Sequence, residues 1–237
     1  MNLSCKELKR QARETLNGRY GLPMGTFVVT QLITLAAVFP FQYSYQRNPG
    51  TLQSVTYTLA AFIVSLLSAV LSCGLIRIHL DMARGKERNF IDLFYYFRQR
   101  PDRLILAQLA FLLIIFASII PAAVCMIVYV LNPSGFLLAI WIAVIFATAV
   151  LLCFLILSLS LVYFFLVDNE SIGVIDAFRL SFTHMKGNRG RLLYIYLSFI
   201  GMALLCLLSF GIGYLWVGPY ITQTNTAFYR NIIGEVS

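Results

Sequence analysis

Five long stretches of this sequence carry no charged side chain, and they constrain the fold more than any other feature. They lie at about 24–46, 53–76, 104–131, 135–167 and 192–210. An α-helix rises about 1.5 Å per residue and the hydrocarbon core of a bilayer is about 30 Å thick, so each stretch is long enough, or nearly so, to cross a membrane. The sequence therefore predicts an all-α, polytopic transmembrane helical bundle.

The composition agrees with a membrane-embedded chain. Of the 237 residues, 59% are hydrophobic and 12% are charged, whereas roughly 25% of the residues in a soluble domain are charged. One globular core of this size could not bury so much apolar surface. We expect a single integral membrane domain over residues 1–237, in which the second span extends to about residue 80 and residues 1–20 form an amphipathic helix.

The segment 213–233 is a sixth candidate span, and it leaves two interpretations open. Its first part, with Trp216 and Pro219, is typical of a membrane interface, whereas the polar side chains of 222–226 are unsuited to contact with lipid. The segment either crosses the membrane and lines a polar cavity, or lies as a carboxy-terminal helix at the interface. Six spans are favoured and five are the alternative.

The distribution of lysine and arginine predicts the orientation. Five precede the first span, seven lie in 77–103 and four lie in 168–191, whereas the connections at 47–52 and 132–134 hold one and none. By the positive-inside rule the amino terminus and the two basic connections are cytoplasmic. These basic residues flank apolar stretches instead of forming a stripe on a soluble face, so we predict contacts with anionic lipid headgroups and none with nucleic acid.

A short internal repeat favours the six-span arrangement. The letters Ile-Asp-Leu-Phe at 91–94 are echoed by Ile-Asp-Ala-Phe at 175–178, and each copy precedes a basic turn and a hydrophobic hairpin. Residues 1–16 fit the same plan, because Cys5, Leu8, Ala12 and Leu16 share one helical face. We predict three repeats of an interfacial helix followed by a helical hairpin. Gly85 is expected to end a helix, and Asn89, with Asp92 three residues on, to cap the next.

Candidate contact residues fall into two groups. The cluster that closes the second span and the polar part of the last segment predict a polar cavity or headgroup contacts; for the cluster, the simpler interpretation is snorkelling at a helix end. The opposite face of the amino-terminal helix predicts contacts with the lipid surface. The first group is Arg77, His79, Asp81, Thr222, Asn225 and Tyr229; the second is Lys6, Lys9, Arg10 and Arg13.

No residue pattern in the sequence predicts catalysis, a cofactor or a metal. The two histidines lie far apart and belong to no HExxH spacing, and the five cysteines occur singly, so we expect reduced thiols. Ion- and proton-coupled transporters usually place ionisable groups in the middle of spans, and the clear spans here have none.

Several motifs, taken in order, resemble a known family. They are Lys-Glu-Leu-Lys at 6–9, Ala-Arg-Gly-Lys at 83–86, Met-Lys-Gly at 185–187 and Gly-Ile-Gly at 211–213. The chain resembles the bacterial domain-of-unknown-function 975 family of integral membrane proteins over almost its whole length. That family looks distantly similar to the membrane region of some glycerophosphodiester phosphodiesterases, but the ligands of such an enzyme are missing here. The resemblance implies a location in the bacterial cytoplasmic membrane.

Two functions are predicted. The first is a non-enzymatic, multi-pass protein with a cytoplasmic amino terminus that acts in envelope organisation or as the accessory partner of a transporter or lipid-active enzyme. The alternative is a small permease or exporter of a hydrophobic or amphipathic solute. The sequence leaves open the ligand, the protein partner and the oligomeric state.

Overall fold

The computed structural model describes residues 3–236, and over these residues it contains helices and no strand. A 3-10 helix spans Phe90–Phe94. The α-helices are α1 (Cys5–Leu16), α2 (Gly21–Arg47), α3 (Thr51–Ala83), α4 (Tyr95–Arg98), α5 (Pro101–Leu131), α6 (Gly135–Leu159), α7 (Val162–Asp168), α8 (Val174–His184), α9 (Arg189–Leu197), α10 (Ile200–Leu208) and α11 (Tyr214–Ile232). The predicted all-α fold is confirmed.

Five helical stretches in the described part of the chain are long and apolar enough to cross a membrane. They are α2, α3, α5, the run α6–α7 at Gly135–Asp168 and the run α9–α10 at Arg189–Leu208. The sixth predicted span corresponds to α11, which is 19 residues long, has Pro219 inside it and is not one of the five. The protein is therefore a multi-pass membrane protein by the length and composition of its helices.

The amino-terminal helix α1 packs by the face that its sequence predicts. Leu8, Ala12 and Leu16 are buried, and the Ser4 hydroxyl accepts a hydrogen bond from the backbone N–H of Glu7 at the start of the helix. Such a cap satisfies one of the backbone donors that a helix leaves unpaired at its first turn. The chain leaves the helix through Gly18, whose φ of 71° favours glycine.

The two later interfacial segments repeat this design. Asn89 and Asp92 form the predicted capping box, and Leu93, the next residue, is fully buried. In α8 the acidic residue Asp176 again lies in the first turn, and the residue after it, Ala177, is fully buried. The predicted helix stop at Gly85 is also confirmed, since its φ is 75°. The common pattern is an acid in the first turn followed directly by a buried residue.

The chain forms three units, each an interfacial segment followed by a helical hairpin: α1–α3, the 3-10 helix with α4–α7, and α8–α11. The three units close into a ring. The helix α3 packs against the 3-10 helix, α4 and α5 of the second unit, while α6 and α7 pack against α8, and α6 also against α9, of the third. The helix α11 packs in turn against α1 and α2 of the first unit. The second arm of every hairpin thus contacts the interfacial helix and the first long helix of the next unit, and the last unit joins the first.

Two glycines allow close approaches within this ring. A Cβ atom on Gly74 of α3 would lie 2.1 Å from the carbonyl oxygen of Leu93, and one on Gly218 of α11 would lie 2.6 Å from the Phe27 ring. Real Cβ atoms do not come this close, so Gly74 is required against the Leu93 backbone, whereas a side chain at position 218 would displace the Phe27 ring. At Gly74 the backbone of the second interfacial segment therefore packs directly against α3.

The two ends of the chain meet at the start of α9. The backbone N–H of Leu3 donates to Asn231 Oδ1 at 3.3 Å, and the Arg191 guanidinium donates to Leu3 O and to Asn231 Oδ1 at 2.8 and 2.9 Å. The carboxy-terminal end of α11 therefore lies beside the start of α9, so that α9, α10 and α11 form a hairpin. The amino- and carboxy-terminal segments of the described residues thus lie at the same end of the bundle.

The opposite ends of the first two hairpins are exposed and apolar. Leu131 at the end of α5 and Phe136 at the start of α6 are 71% and 76% exposed, and α2 and α3 expose large apolar side chains over the halves that are distant from the basic connections. Exposed apolar surface of this extent is typical of contact with lipid. The well-buried part of the protein is the end that carries the basic connections.

Candidate functional site

An ionic cluster joins the three units at the basic end; we call it the hub, and its residues are Arg84, Asp168, Tyr229, Arg230 and Glu235. Arg84 lies at the end of α3, and its guanidinium donates to Asp168 Oδ2 at 3.0 Å and to Glu235 Oε2 at 2.8 Å. Asp168 ends α7 and Glu235 follows α11. The hub therefore ties together the second arms of all three hairpins.

Tyr229 and Arg230 complete the hub from α11. The Tyr229 hydroxyl donates to Asp168 Oδ2 at 2.9 Å, and its ring stacks on Phe164 with 5.1 Å between the ring centroids. Arg230 donates to the carbonyl of Ala83 at 2.7 Å. The sequence predicts that Tyr229 lines a polar cavity or contacts headgroups; in the structure it is buried in the hub, at 2% exposure.

Arg77 and Asp81 take part in a second internal network. The Arg77 guanidinium donates to Glu170 Oε1 at 2.7 Å and lies 3.6 Å from the centroid of the Tyr95 ring, while Asp81 pairs with Arg88 at 2.7 Å. The hydrogen bond from Arg77 is the main reason why the pKa of the Glu170 carboxyl is lowered. Both predicted headgroup contacts are thus engaged within the protein.

Arg103 is a structural residue that sequence reasoning missed. Its guanidinium donates to the carbonyl of Asn169 at 3.2 Å and to that of Ile172, in the turn that follows α7. A cation at the carboxy-terminal end of a helix satisfies carbonyls that have no partner within it. The only sequence signal was the position of Arg103 at the start of a span, which was attributed to topology alone.

His79 is paired with a glutamine and lies away from the surface. Its Nδ1 atom is 2.6 Å from Gln223 Oε1, and both residues are at most 1% exposed. Gln223 also donates to the carbonyl of His79 at 3.4 Å. This pair joins α3 to α11 in the interior, where His79 is fully buried and its Nε2 atom has no hydrogen-bond partner among the described residues. Gln223 was not singled out from the sequence, because nothing in the local pattern marks its distant partner.

Thr222 and Asn225 are the predicted residues that do line a cavity, which we call the Asn225 cavity. Its volume is about 270 Å³, and it lies between α2, α3, α7 and α11. The lining residues are Phe27, Thr30, Gln31, Ser72, Leu75, Ile76, Phe164, Thr222 and Asn225. The predicted set of six residues therefore separates into four that hold the fold together and two that face an open space.

The four basic residues of α1 differ in their surroundings. Lys9 donates to the carbonyl of Ser198 at 3.1 Å and lies 3.9 Å from the centroid of the Phe199 ring, and burial lowers the pKa of its amine. Lys6, Arg10 and Arg13 are exposed, although Arg10 also pairs with Glu7 in its own helix. Three of the four cations can reach a lipid surface, and Lys9 instead fixes α1 to α9.

The metal-ligating and thiol residues of the described part of the chain form no cluster. No group of three or more His, Cys, Asp or Glu side chains that could hold a metal ion occurs in residues 3–236. The five cysteines are free thiols; Cys73 and Cys206 are buried, whereas Cys153 is exposed.

The fold and the site together define a class: an all-α, multi-pass membrane protein with an ionic cluster at its basic end and an uncharged cavity between its helices. The chain belongs to the family described as "Protein of unknown function (DUF975)", whose family model matches residues 1–235. No curated protein and no solved structure matches the chain significantly.

Proposed function

We propose that this protein is a non-enzymatic, multi-pass protein of the bacterial cytoplasmic membrane that holds anionic lipid at its basic end. In this role it organises the envelope or serves as the accessory partner of a transporter or lipid-active enzyme. The observation that carries the proposal is the ring of three interfacial segments at the end of the bundle where the basic connections lie. With this end in the cytoplasm, as the positive-inside rule predicts, the segments meet the inner leaflet.

The exposed side chains of the interfacial segments suit a leaflet surface. Ile91 and Ile175 occupy the same place in the second and third segments, directly before the acid of the first turn, and are 71% and 78% exposed. Exposed apolar groups beside cations are typical of helices that lie at the boundary between headgroups and acyl chains. In the first segment the corresponding residue is Lys6, which is also exposed.

The proposal is tested by removing the outward charges of α1. We expect K6Q/R10Q/R13Q to weaken the binding of phosphatidylglycerol by roughly tenfold or more, since a cation near an anionic surface contributes up to about 1 kcal/mol. Binding is measured on the purified full-length protein by native mass spectrometry, with phosphatidylcholine as the comparison lipid. The substituted side chains are exposed, so the melting temperature should change little.

The matched control is R47Q, because Arg47 is exposed at the opposite end of the bundle, at the end of α2. This variant should retain phosphatidylglycerol as the unaltered protein does. Equal affinities of the triple variant and the control for phosphatidylglycerol would remove the support for lipid binding at the basic end.

The second candidate function is a permease or exporter of a hydrophobic or amphipathic solute, and the Asn225 cavity favours it. The cavity lies beside spanning helices and combines polar and apolar walls, which is the usual make-up of a small-molecule site. A carrier with leucine at Asn225 and Thr222 should lose solute flux in proteoliposomes while it keeps its melting temperature. If flux with the unaltered protein is no greater than in protein-free vesicles, or if the leucine variant keeps the full flux, the carrier function is wrong.

A further inference from the structure

The hydroxyl groups of the Asn225 cavity share one hydrogen-bonding arrangement. Thr30, Ser72 and Thr222 each donate to the carbonyl oxygen four residues earlier in their own helix, at 2.8, 2.8 and 3.1 Å. A hydroxyl has one proton to donate and can accept further hydrogen bonds. Towards the cavity these three side chains are therefore hydrogen-bond acceptors.

Asn225 adds a further acceptor, and this one has no partner. Its Oδ1 atom is buried and forms no hydrogen bond within the described residues, although the Asn225 side chain also interacts with the Tyr196 hydroxyl. Leaving a buried polar atom unsatisfied costs about 1–3 kcal/mol, and at membrane depth little water is available to reduce that cost. Because this atom has almost no accessible surface, a donor in the cavity reaches it after the Asn225 side chain turns, and the unsatisfied acceptor favours that turn.

Gln31 indicates where the cavity opens. Its side chain is exposed at the edge of the cavity and forms no hydrogen bond among the described residues, and the next residue, Leu32, is 57% exposed. Gln31 lies ten residues after the first residue of α2, which corresponds to about 15 Å along the helix. Because the exposed Gln31 amide lies beside an exposed leucine, the cavity opens at the outer surface of the bundle, on the side that faces lipid.

The size and charge of the cavity limit what can enter. Its volume of about 270 Å³ is below the range of about 300–1,000 Å³ that is usual for sites of whole drug-sized ligands. No Asp, Glu, Lys or Arg lines it, and a charged group without a partner is costly at membrane depth. A small, neutral head group therefore fits, with its apolar tail left outside in the lipid.

We infer that the Asn225 cavity binds the neutral, hydroxyl-bearing head group of a single-chain amphiphile that enters laterally from the membrane. The acceptors of Thr30, Ser72, Thr222 and Asn225 receive the hydrogen bonds of the head-group hydroxyls, and Phe27 and Leu75 contact its carbon atoms. The inference concerns binding alone and holds whether or not the ligand is carried across the membrane.

The experiment compares two probes that share an acyl chain. Monooleoylglycerol carries two free hydroxyls, whereas methyl oleate carries no hydrogen-bond donor. We expect the full-length protein in detergent to bind monooleoylglycerol about tenfold more tightly, because satisfying a buried acceptor is worth about 1–3 kcal/mol. Dissociation constants are obtained by native mass spectrometry. Equal affinity for the two probes would overturn the inference.

Variants test whether the preference for monooleoylglycerol arises in the Asn225 cavity. N225L should reduce the tenfold preference to about twofold or less, because the unpartnered acceptor is removed. Since N225L alters a partly buried residue, S72A provides the milder test, and it should lower the affinity for monooleoylglycerol about threefold. Its matched control is S118A, because the Ser118 hydroxyl donates four residues back in α5 and lies outside the cavity. If S72A and S118A bind monooleoylglycerol equally, the site is not in this cavity.

Discussion

Replacing Gly74 by alanine should destabilise the protein more than any other single methyl addition in the ring. The new Cβ atom would lie 2.1 Å from the carbonyl oxygen of Leu93, and the atoms it meets belong to the backbone, so no side chain can move aside. The 3-10 helix must then shift away from α3. We expect a loss of about 3 kcal/mol or more in the free energy of unfolding, as for severe overpacking.

The matched control for this prediction is G201A. Gly201 also lies in a helix, α10, and a Cβ atom there would meet no atom within 4 Å. Alanine should stabilise this position by about 0.5–1 kcal/mol, because glycine is entropically unfavourable in a helix. Stability is measured by denaturant unfolding of the full chain in detergent. Similar stability of G74A and G201A would show that α3 and Leu93 do not pack this closely.

The second large effect is expected from breaking the hub with R84L. Asp168 and Glu235 would lose their shared cation while their side chains are still only 20% and 28% exposed. We expect a loss of about 1–3 kcal/mol in the free energy of unfolding, less than for a fully buried pair because water screens part of the interaction. The control is R98L, since Arg98 is exposed and forms no ion pair in the described part of the chain.

The dependence of stability on pH gives the same experiment a second measurement. The pKa of Glu235 is lowered below its ordinary value of 4.5, chiefly by the hydrogen bond from Arg84. A carboxyl with a lowered pKa stabilises the fold above its ordinary pKa, and this contribution is lost as the pH falls through the lowered value. The melting temperature should therefore fall below about pH 4.5, and less steeply in R84L. Parallel pH profiles of R84L and R98L would contradict a role of Arg84 in binding Glu235.

Local features of the fold could be predicted because local residues determine them. The buried face of α1 follows from the spacing of Leu8, Ala12 and Leu16, and the capping box follows from Asn89 and Asp92. Helix caps and amphipathic faces depend on residues within one or two turns, so the sequence alone contains the information. The same holds for the positions of the five long apolar helices.

The partners of the candidate site residues could not be predicted, for a physical reason. In a membrane both the core-facing and the lipid-facing sides of a helix are apolar, so hydrophobic periodicity does not identify the inner face. The pairs of Arg84 with Glu235 and of His79 with Gln223 join residues 151 and 144 positions apart. They exist because α11 packs back onto the first unit, which is a property of the closed ring.

The same limitation explains why the predicted contact residues separated into two sets. Arg77 and Asp81 were predicted as contact residues because they close the second span, and Thr222, Asn225 and Tyr229 because they belong to the polar part of the last segment. In the structure the first three find partners in neighbouring units, whereas Thr222 and Asn225 face the cavity between them. Which polar residues remain available to a ligand depends on the packing of all three units.

The central claim is that the third hairpin brings the chain back, so that both termini lie at the basic end, which we propose to be cytoplasmic. Reporters fused after Ser237 in intact cells test it most directly. We expect a fused green fluorescent protein to fluoresce and a fused alkaline phosphatase to be inactive, as at a cytoplasmic terminus. An active phosphatase after Ser237 would place the carboxy terminus outside and contradict the closed ring.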